Sequence, residues 1–142
     1  MKPNILLVDN HKDYREALRE ILANDPDIGN VTEAGGGVEA LAKASETAPD
    51  VVCVDVTMPH MNGIDTTRQL VAGQPGVRVI AISTHVIKEY ILEMLKAGAL
   101  AYLVKDEVGG HLLHAVQAVL KRQNYLCPSA AAALADTQQA FS

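Results

Sequence analysis

The chain has 142 residues, a length typical of one domain, and 49% apolar and 20% charged residues, which is the composition of an ordinary folded protein. Twelve basic residues against 17 acidic residues give a net charge of −5, which argues against a dedicated nucleic-acid binder or a membrane-surface module. No apolar run reaches the ~20 residues of a membrane span, and the run after Asn4 is too short for a signal peptide, so we expect a cytoplasmic protein. Cys53 and Cys127 show no metal-ligand spacing and are expected to stay unpaired in a reducing compartment.

Short apolar runs alternate with helical patterns along the chain. The runs predict five strands, at residues 4–8, 28–34, 51–54, 77–82 and 101–104. A helix follows each strand. The third helix is predicted to be short, over residues 64–71. For the first, second, fourth and fifth helices the predicted buried stripes are, in that order, Tyr14, Ala17, Leu18, Ile21 and Leu22; Val38, Leu41, Ala42 and Ser45; Val86, Ile87, Tyr90, Ile91, Met94 and Leu95; and Val108, Leu112, Leu113, Val116, Val119 and Leu120. We expect Gly98 to end the fourth helix and Asp106 to cap the fifth.

Five repeats of strand and helix predict an α/β fold in which a parallel sheet carries helices on both faces. For five such units we expect the flavodoxin-like (βα)5 arrangement with strand order 2-1-3-4-5. The composition changes after Arg122, because residues 123–142 hold six Ala and a single charged residue, Asp136. We therefore predict one domain over residues 1–122 and a linker or short extra helix over 123–142, with the helix at 129–135.

Four polar residues stand at the carboxyl ends of the predicted strands, which is where sheets of this type bind ligands. Asp9, Asp55 and Ser83 belong to neighbouring strands in the expected order, and Lys105 follows the fifth strand. Two carboxylates, a hydroxyl and an ammonium suit a divalent cation such as Mg²⁺ together with a phosphoryl group. A carboxylate can itself accept a phosphoryl group. The pattern predicts a site for Mg²⁺ and phosphoryl transfer at this edge.

These residues lie in stretches that resemble the response regulator receiver domain. The stretches are ILLVDNH at 5–11, VVCVDVTMPHMNG at 51–63, VIAIST at 79–84 and GALAYLVKD at 98–106. The D-x-x-M-P-x-M-x-G pattern that begins at Asp55 is the most specific, and the resemblance covers residues 3–122. The DNH and YLVKD stretches and the NYLCP stretch at 124–128 resemble the NarL/FixJ (LuxR-type) subfamily. Its members usually continue into a helix-turn-helix domain, which we expect to be absent from this chain.

The resemblance implies a role for each site residue. Asp55 would accept the phosphoryl group from the phosphohistidine of a sensor histidine kinase. Lys105 would pair with the phosphate, and Ser83 would hydrogen-bond it after activation. Asp9, Asp55 and the backbone carbonyl of Thr57 would hold Mg²⁺.

The resemblance also implies a phosphorylation-controlled switch in two-component signalling, in which Tyr102 and Ser83 rearrange together. Such a domain is a signalling module rather than an enzyme, although it promotes its own phosphotransfer and dephosphorylation. It would regulate transcription through the missing DNA-binding domain, and a homodimer is a further implication. The expected partners are therefore a histidine kinase and a second copy, with neither nucleic acid nor membrane bound by this chain.

One position departs from the family pattern. Receivers usually carry two adjacent acids after the first strand, and the second of them here is Asn10, a weaker candidate metal ligand. Asp9, Asp55 and Lys105 together carry −1, where a second acid would give −2, so we expect weaker Mg²⁺ binding. An alternative therefore stays open, in which the chain is an atypical receiver that binds proteins independently of phosphorylation.

Other chemistries fit the sequence less well. A flavodoxin would need a hydroxyl-rich phosphate loop after the first strand, and a phosphatase of the haloacid dehalogenase type would need a second Asp where Thr57 stands. The five histidines match no zinc-site pattern and are expected to be solvated, with His11 placed to tune access to the pocket.

Overall fold

The computed structural model describes residues 2–140, and side chains for residues 2–135. The strands are Ile5–Val8 (β1), Val31–Ala34 (β2), Val51–Asp55 (β3), Arg78–Ser83 (β4), Ala101–Val104 (β5) and Tyr125–Leu126 (β6). The helices are Lys12–Leu22 (α1), Gly37–Thr47 (α2), Gly63–Gly73 (α3), Lys88–Ala97 (α4), Val108–Leu120 (α5) and Pro128–Ala140 (α6). A 3₁₀ turn over Lys105–Glu107 joins β5 to α5. Within residues 2–140, none of the helices combines the length and apolar character needed to cross a membrane.

The sheet is parallel throughout, with strand order β2-β1-β3-β4-β5-β6. The predicted order 2-1-3-4-5 is confirmed, and a sixth, two-residue strand extends it. In that strand Tyr125 pairs with Ala101, and Leu126 pairs with Tyr102. Two residues are too few to show a strand period in the sequence, which is why β6 was not predicted.

Every residue of β1, β3 and β5 is buried, as expected for strands that are covered on both faces. Helices α1 and α5 pack against each other, while α2, α3 and α4 form a row of neighbours. The two groups supply the helical layers of a doubly wound sheet. This arrangement leaves the carboxyl ends of β1, β3, β4 and β5 together at one edge.

The predicted buried face of α2 was wrong except at Leu41, which is partly buried against the core. Val38 is 70% exposed and Ala42 is exposed, whereas the buried residues are Gly37, Ala40 and Ala44. The reason is close packing on α3, since a Cβ on Gly37 would lie 2.4 Å from the Thr66 hydroxyl oxygen. Small residues therefore face the neighbouring helix, and the larger Val38 points outward against simple hydrophobic patterning.

Several predicted boundaries also need correction. β2 begins at Val31 rather than 28, and Val86 and Ile87 precede α4 as exposed residues. The cap assigned to Asp106 was wrong, because the 3₁₀ turn contains Asp106 and the residue before α5 is Glu107. The end of α4 is confirmed at Gly98, whose φ of 119° is in the left-handed region that favours glycine.

The C-terminal residues pack against the rest of the chain. Helix α6 spans Pro128–Ala140, longer than the predicted 129–135, and contacts α4 and β5. Cys127 and Ala130 are fully buried. Residues 141–142 of the predicted tail lie outside the described residues, and the division at residue 122 stays a prediction.

Candidate functional site

Two carboxylates lie side by side at the carboxyl edge of the sheet. Asp55 is the last residue of β3, and Asp9 directly follows β1. These strands are neighbours, with Val8 paired to Val54, so the two acids come to the same edge. Asp9 is 2% exposed and Asp55 is 3% exposed. Since isolated buried carboxylates are costly, the pair requires a cation.

Lys105 supplies that cation. Its Nζ lies 2.8 Å from Asp9 Oδ2 and 3.4 Å from Asp55 Oδ2, and only 13% of its side chain is exposed. The lysine directly follows β5, so its side chain reaches past the end of β4 to contact both acids. The Tyr14 ring lies under Nζ, 4.4 Å from the ring centroid, where its face attracts a cation.

The environment of Asp55 favours its neutral form more than water does. Burial and, second, the nearby charge of Asp9 raise the pKa of Asp55 above its ordinary value. The ammonium of Lys105 and the backbone N–H of Thr57, which donates to Asp55 Oδ1 at 3.2 Å, act in the opposite direction. Asp55 is therefore a carboxylate with few protein donors around it, which suits a group that must bond to an incoming electrophile.

Ser83 and Tyr102 are both fully buried and are linked through one loop residue. The backbone N–H of His85 donates to Ser83 Oγ at 3.0 Å, and the Tyr102 hydroxyl donates to the His85 carbonyl at 3.3 Å. Burial raises the pKa of Tyr102, so its hydroxyl stays protonated and able to donate. The β4–α4 loop is thus connected to both predicted switch residues.

The residues after Asp9 differ from the sequence expectation. Asn10 is exposed, whereas His11 turns its ring toward the acids, with Nδ1 3.2 Å from Asp9 Oδ1. The backbone N–H of His11 donates to the same oxygen at 2.8 Å. Asp9, His11 and Asp55 each offer a ligand atom, and these three atoms all lie within 4.8 Å of one another.

One residue that holds the site, Arg15, was not predicted from the sequence. Arg15 donates from Nη1 to the Asp9 carbonyl at 2.6 Å and from Nε to Glu33 at 2.8 Å. The hydrogen bond from Arg15 and the ion pair of Arg15 with Glu33 lower the pKa of Glu33 below its ordinary value. Arg15 therefore ties α1 and β2 to the backbone of Asp9. A basic residue one turn into the helix after β1 was the only available signal.

Gly63 is required by close backbone approach. A Cβ at this position would lie 2.2 Å from the Asp55 carbonyl oxygen, and the Gly63 N–H donates to the Val56 carbonyl at 2.8 Å. The structure shows that the glycine lets the start of α3 pack directly against the strand that carries Asp55.

The donor set suits a divalent cation. Mg²⁺ prefers oxygen donors. The site offers the buried carboxylates of Asp9 and Asp55 and the backbone carbonyl of the exposed Thr57, two residues past Asp55. With Lys105 the site carries a net charge of −1, so a dication would be attracted.

Comparison with known proteins identifies relatives of this chain. The response regulator receiver domain matches residues 5–117. The chain is 38% identical over 130 residues to the DNA-binding transcriptional activator DevR/DosR of Mycobacterium tuberculosis, which is 92% of this chain and 60% of that protein. It is 34% identical over 127 residues to the transcriptional regulatory protein DegU of Brevibacillus brevis, which is 89% of this chain and 54% of that protein. The chain thus spans little more than half the length of these relatives.

Solved structures are similar as well. A two-component response regulator of the LuxR family from Aurantimonas superimposes with a TM-score of 0.92 at 30% identity, over 97% of this chain and 99% of that chain. The receiver domain of the putative response regulator NarL from Mycobacterium tuberculosis gives a TM-score of 0.80 at 28% identity, over 86% and 98% of the two chains. Together with the match over residues 5–117, these likenesses show that the chain belongs to the response regulator receiver domain family, with relatives among the LuxR/NarL-type regulators.

Proposed function

We propose that Asp55 accepts a phosphoryl group from the phosphohistidine of a sensor histidine kinase. The observation that carries this proposal is the position of Asp55, a buried carboxylate whose Oδ2 lies 3.4 Å from the Lys105 ammonium. A carboxylate oxygen attacks phosphorus, the O–P bond forms, the P–N bond of the donor breaks, and the imidazole leaves with the electron pair. Lys105 then lies where it can neutralise charge on the transferred group.

Asp9, Asp55 and the Thr57 carbonyl are the residues that would hold Mg²⁺, with Asn10 as a weaker ligand. The ion would supply positive charge against the phosphoryl oxygens. Asp9 and Asp55 are already oriented toward one cation, because both contact Lys105. Arg15 keeps the Asp9 backbone in place through its carbonyl.

Ser83 and Tyr102 form the proposed switch. Ser83 Oγ accepts the His85 N–H, and the single Ser83 hydroxyl hydrogen would have to turn toward a phosphoryl oxygen to donate to it. If Ser83 moves toward the phosphate, the bond to His85 is disturbed, and so is the Tyr102 hydroxyl that donates to the same loop residue. Phosphorylation would thereby bias the β4–α4 loop between two arrangements.

We further propose that this switch regulates transcription in a longer protein, in the cytoplasm, and that it works as a homodimer. Support comes from the regulator relatives and from the buried unpaired thiols of Cys53 and Cys127. The receiver would end near residue 122, with 123–142 as a linker whose first part packs back on it. The same pocket would speed its own phosphotransfer and dephosphorylation.

The experiment is incubation of the chain with Mg²⁺ and acetyl phosphate, followed by intact mass. We expect one phosphoryl group on the wild type and none on Asp55→Asn. Asp65→Asn is the matched control, since Asp65 is a half-exposed acid on α3 paired to Arg68, and it should react as wild type does. An adduct on Asp55→Asn, or none on the wild type, would contradict the proposal.

A second candidate is a receiver that binds proteins without phosphorylation. The observation that favours it is Asn10, an exposed amide where receivers usually carry a second acid. This candidate predicts no adduct on the wild type and a gain of metal binding with Asn10→Asp. Unchanged metal affinity in that variant would remove its motivation.

A further inference from the structure

We propose that His11 is a metal ligand, and that the acidic pocket consequently selects a divalent transition ion of the Mn²⁺ class over Mg²⁺. The ligands would be the carboxylates of Asp9 and Asp55 and the imidazole Nδ1 of His11. This inference rests on the proposed function only in that the same pocket holds the metal, and it concerns which metal the pocket takes.

The distances fit ligands of one ion. A divalent ion of this size holds its donors at about 2.0–2.2 Å, so neighbouring donors lie about 3 Å apart and opposite donors about 4 Å apart. His11 Nδ1 is 3.2 Å from Asp9 Oδ1, and all three ligand atoms, including the one from Asp55, lie within 4.8 Å of each other. The three side chains therefore need only small adjustments to meet at a common ion.

The backbone already fixes His11 in this position. Its N–H donates to Asp9 Oδ1 at 2.8 Å, and it is the extended residue immediately before α1. The side chain is 67% exposed, so binding a metal requires little loss of solvation and leaves a path for the ion to enter. Asn10, by contrast, is exposed.

The balance of charge and donor type sets the selectivity. Asp9, Asp55 and Lys105 sum to −1, because the second acid of other receivers is replaced by the neutral Asn10. Mg²⁺ depends on oxygen donors and charge, and it gains little from an imidazole. Divalent transition ions bind a site that includes a nitrogen donor, and they do so more strongly along the series from Mn²⁺ to Cu²⁺. Loss of the acid therefore weakens Mg²⁺ binding more than it weakens Mn²⁺ binding.

The experiment measures binding of Mn²⁺ and of Mg²⁺ to the 142-residue chain by isothermal titration calorimetry, for the wild type, His11→Gln and His114→Gln. His114 is an exposed histidine on α5 and serves as the matched control. We expect His11→Gln to weaken Mn²⁺ binding about tenfold and Mg²⁺ binding less than twofold, as for loss of one ligand that only Mn²⁺ uses. Bound Mn²⁺ should show imidazole nitrogen coupling in electron spin echo spectra of the wild type and of His114→Gln, but not of His11→Gln.

Two results would overturn the inference. One is nitrogen coupling that persists in His11→Gln, and the other is an equal loss of affinity for both ions, which would indicate a general effect on the loop. Neither result depends on phosphorylation. Failure of Asp55 to take a phosphoryl group would overturn the proposed function alone, while these spectra would still decide the role of His11.

Discussion

The carboxyl edge of the sheet and the C-terminal segment, residues 123–135, bury opposite kinds of groups. The edge buries the carboxylates of Asp9 and Asp55 against a single ammonium. The C-terminal segment buries Cys127 and Ala130, and its backbone continues the sheet through the Cys127 N–H, which donates to the Tyr102 carbonyl at 3.1 Å. Buried like charges reduce stability, whereas apolar burial adds to it.

The carboxyl edge therefore carries the candidate site at a cost in stability, whereas the C-terminal segment adds stability. The edge keeps an unfavourable charge pair, which is what the proposed role of Asp55 requires, because a phosphoryl acceptor must be ionised and poor in donors. The C-terminal segment holds no residue of the site, yet it covers β5, the strand that leads into Lys105. Changes in the two regions should therefore have effects of opposite sign on stability and of different kind on activity.

The largest effect is expected from Ala130→Asp. Ala130 is fully buried where α6 packs, so a carboxylate there should lower the free energy of unfolding by about 3 kcal/mol. Urea denaturation measures this change. Ala131→Asp is the control on the same helix, because Ala131 is exposed and should change stability by less than about 0.5 kcal/mol. Equal effects of the two substitutions would mean that the C-terminal segment does not pack as described.

A smaller effect is expected from Asn10→Asp, which restores the second acid at the edge. One added charge beside the pocket should tighten Mg²⁺ binding about tenfold, since a divalent ion gains from each nearby carboxylate. Equilibrium titration of Mg²⁺ measures it. Asn24→Asp, an exposed change at the end of α1, adds the same charge away from the site and should leave the affinity unchanged.

The smallest effect is expected from Asp55→Asn, which should raise the free energy of unfolding at pH 7 by about 1 kcal/mol. Burial and Asp9 raise the folded-state pKa of Asp55, so the folded chain binds this proton more tightly than the unfolded chain does. Wild-type stability therefore falls as the pH rises through the window between the ordinary and the raised pKa. The advantage of the variant should vanish below about pH 4, where Asp55 is protonated in both states. Thermal unfolding across pH checks this, and an advantage that persists in acid would exclude charge burial as the cause.

The sequence was sufficient to predict how Asp9, Asp55 and Lys105 meet. Each stands at the carboxyl end of a continuously apolar strand, and strand order alone brings such positions to one edge. The D-x-x-M-P-x-M-x-G pattern also indicated the receiver domain family. These features depend on backbone topology, which the hydrophobic pattern determines.

Other features depended on tertiary packing that the sequence pattern does not contain. Val38 points outward because Gly37 must approach α3, and the β6 pairing at Tyr125 involves too few residues to show a period. The ring of His11 faces Asp9 because of a local backbone hydrogen bond, which spacing does not predict. Arg15 reaches a carbonyl rather than a charged site residue, so no motif marks it.

The most direct test of the central claim, that Asp55 is the phosphoryl acceptor, is to locate the group in the chain. Wild-type protein treated with acetyl phosphate and Mg²⁺ is digested rapidly, and the peptides are sequenced by mass spectrometry. We predict that the phosphoryl group lies on the peptide that contains Asp55. A phosphoryl group found instead on the peptide that contains Asp9 and His11 would contradict the account.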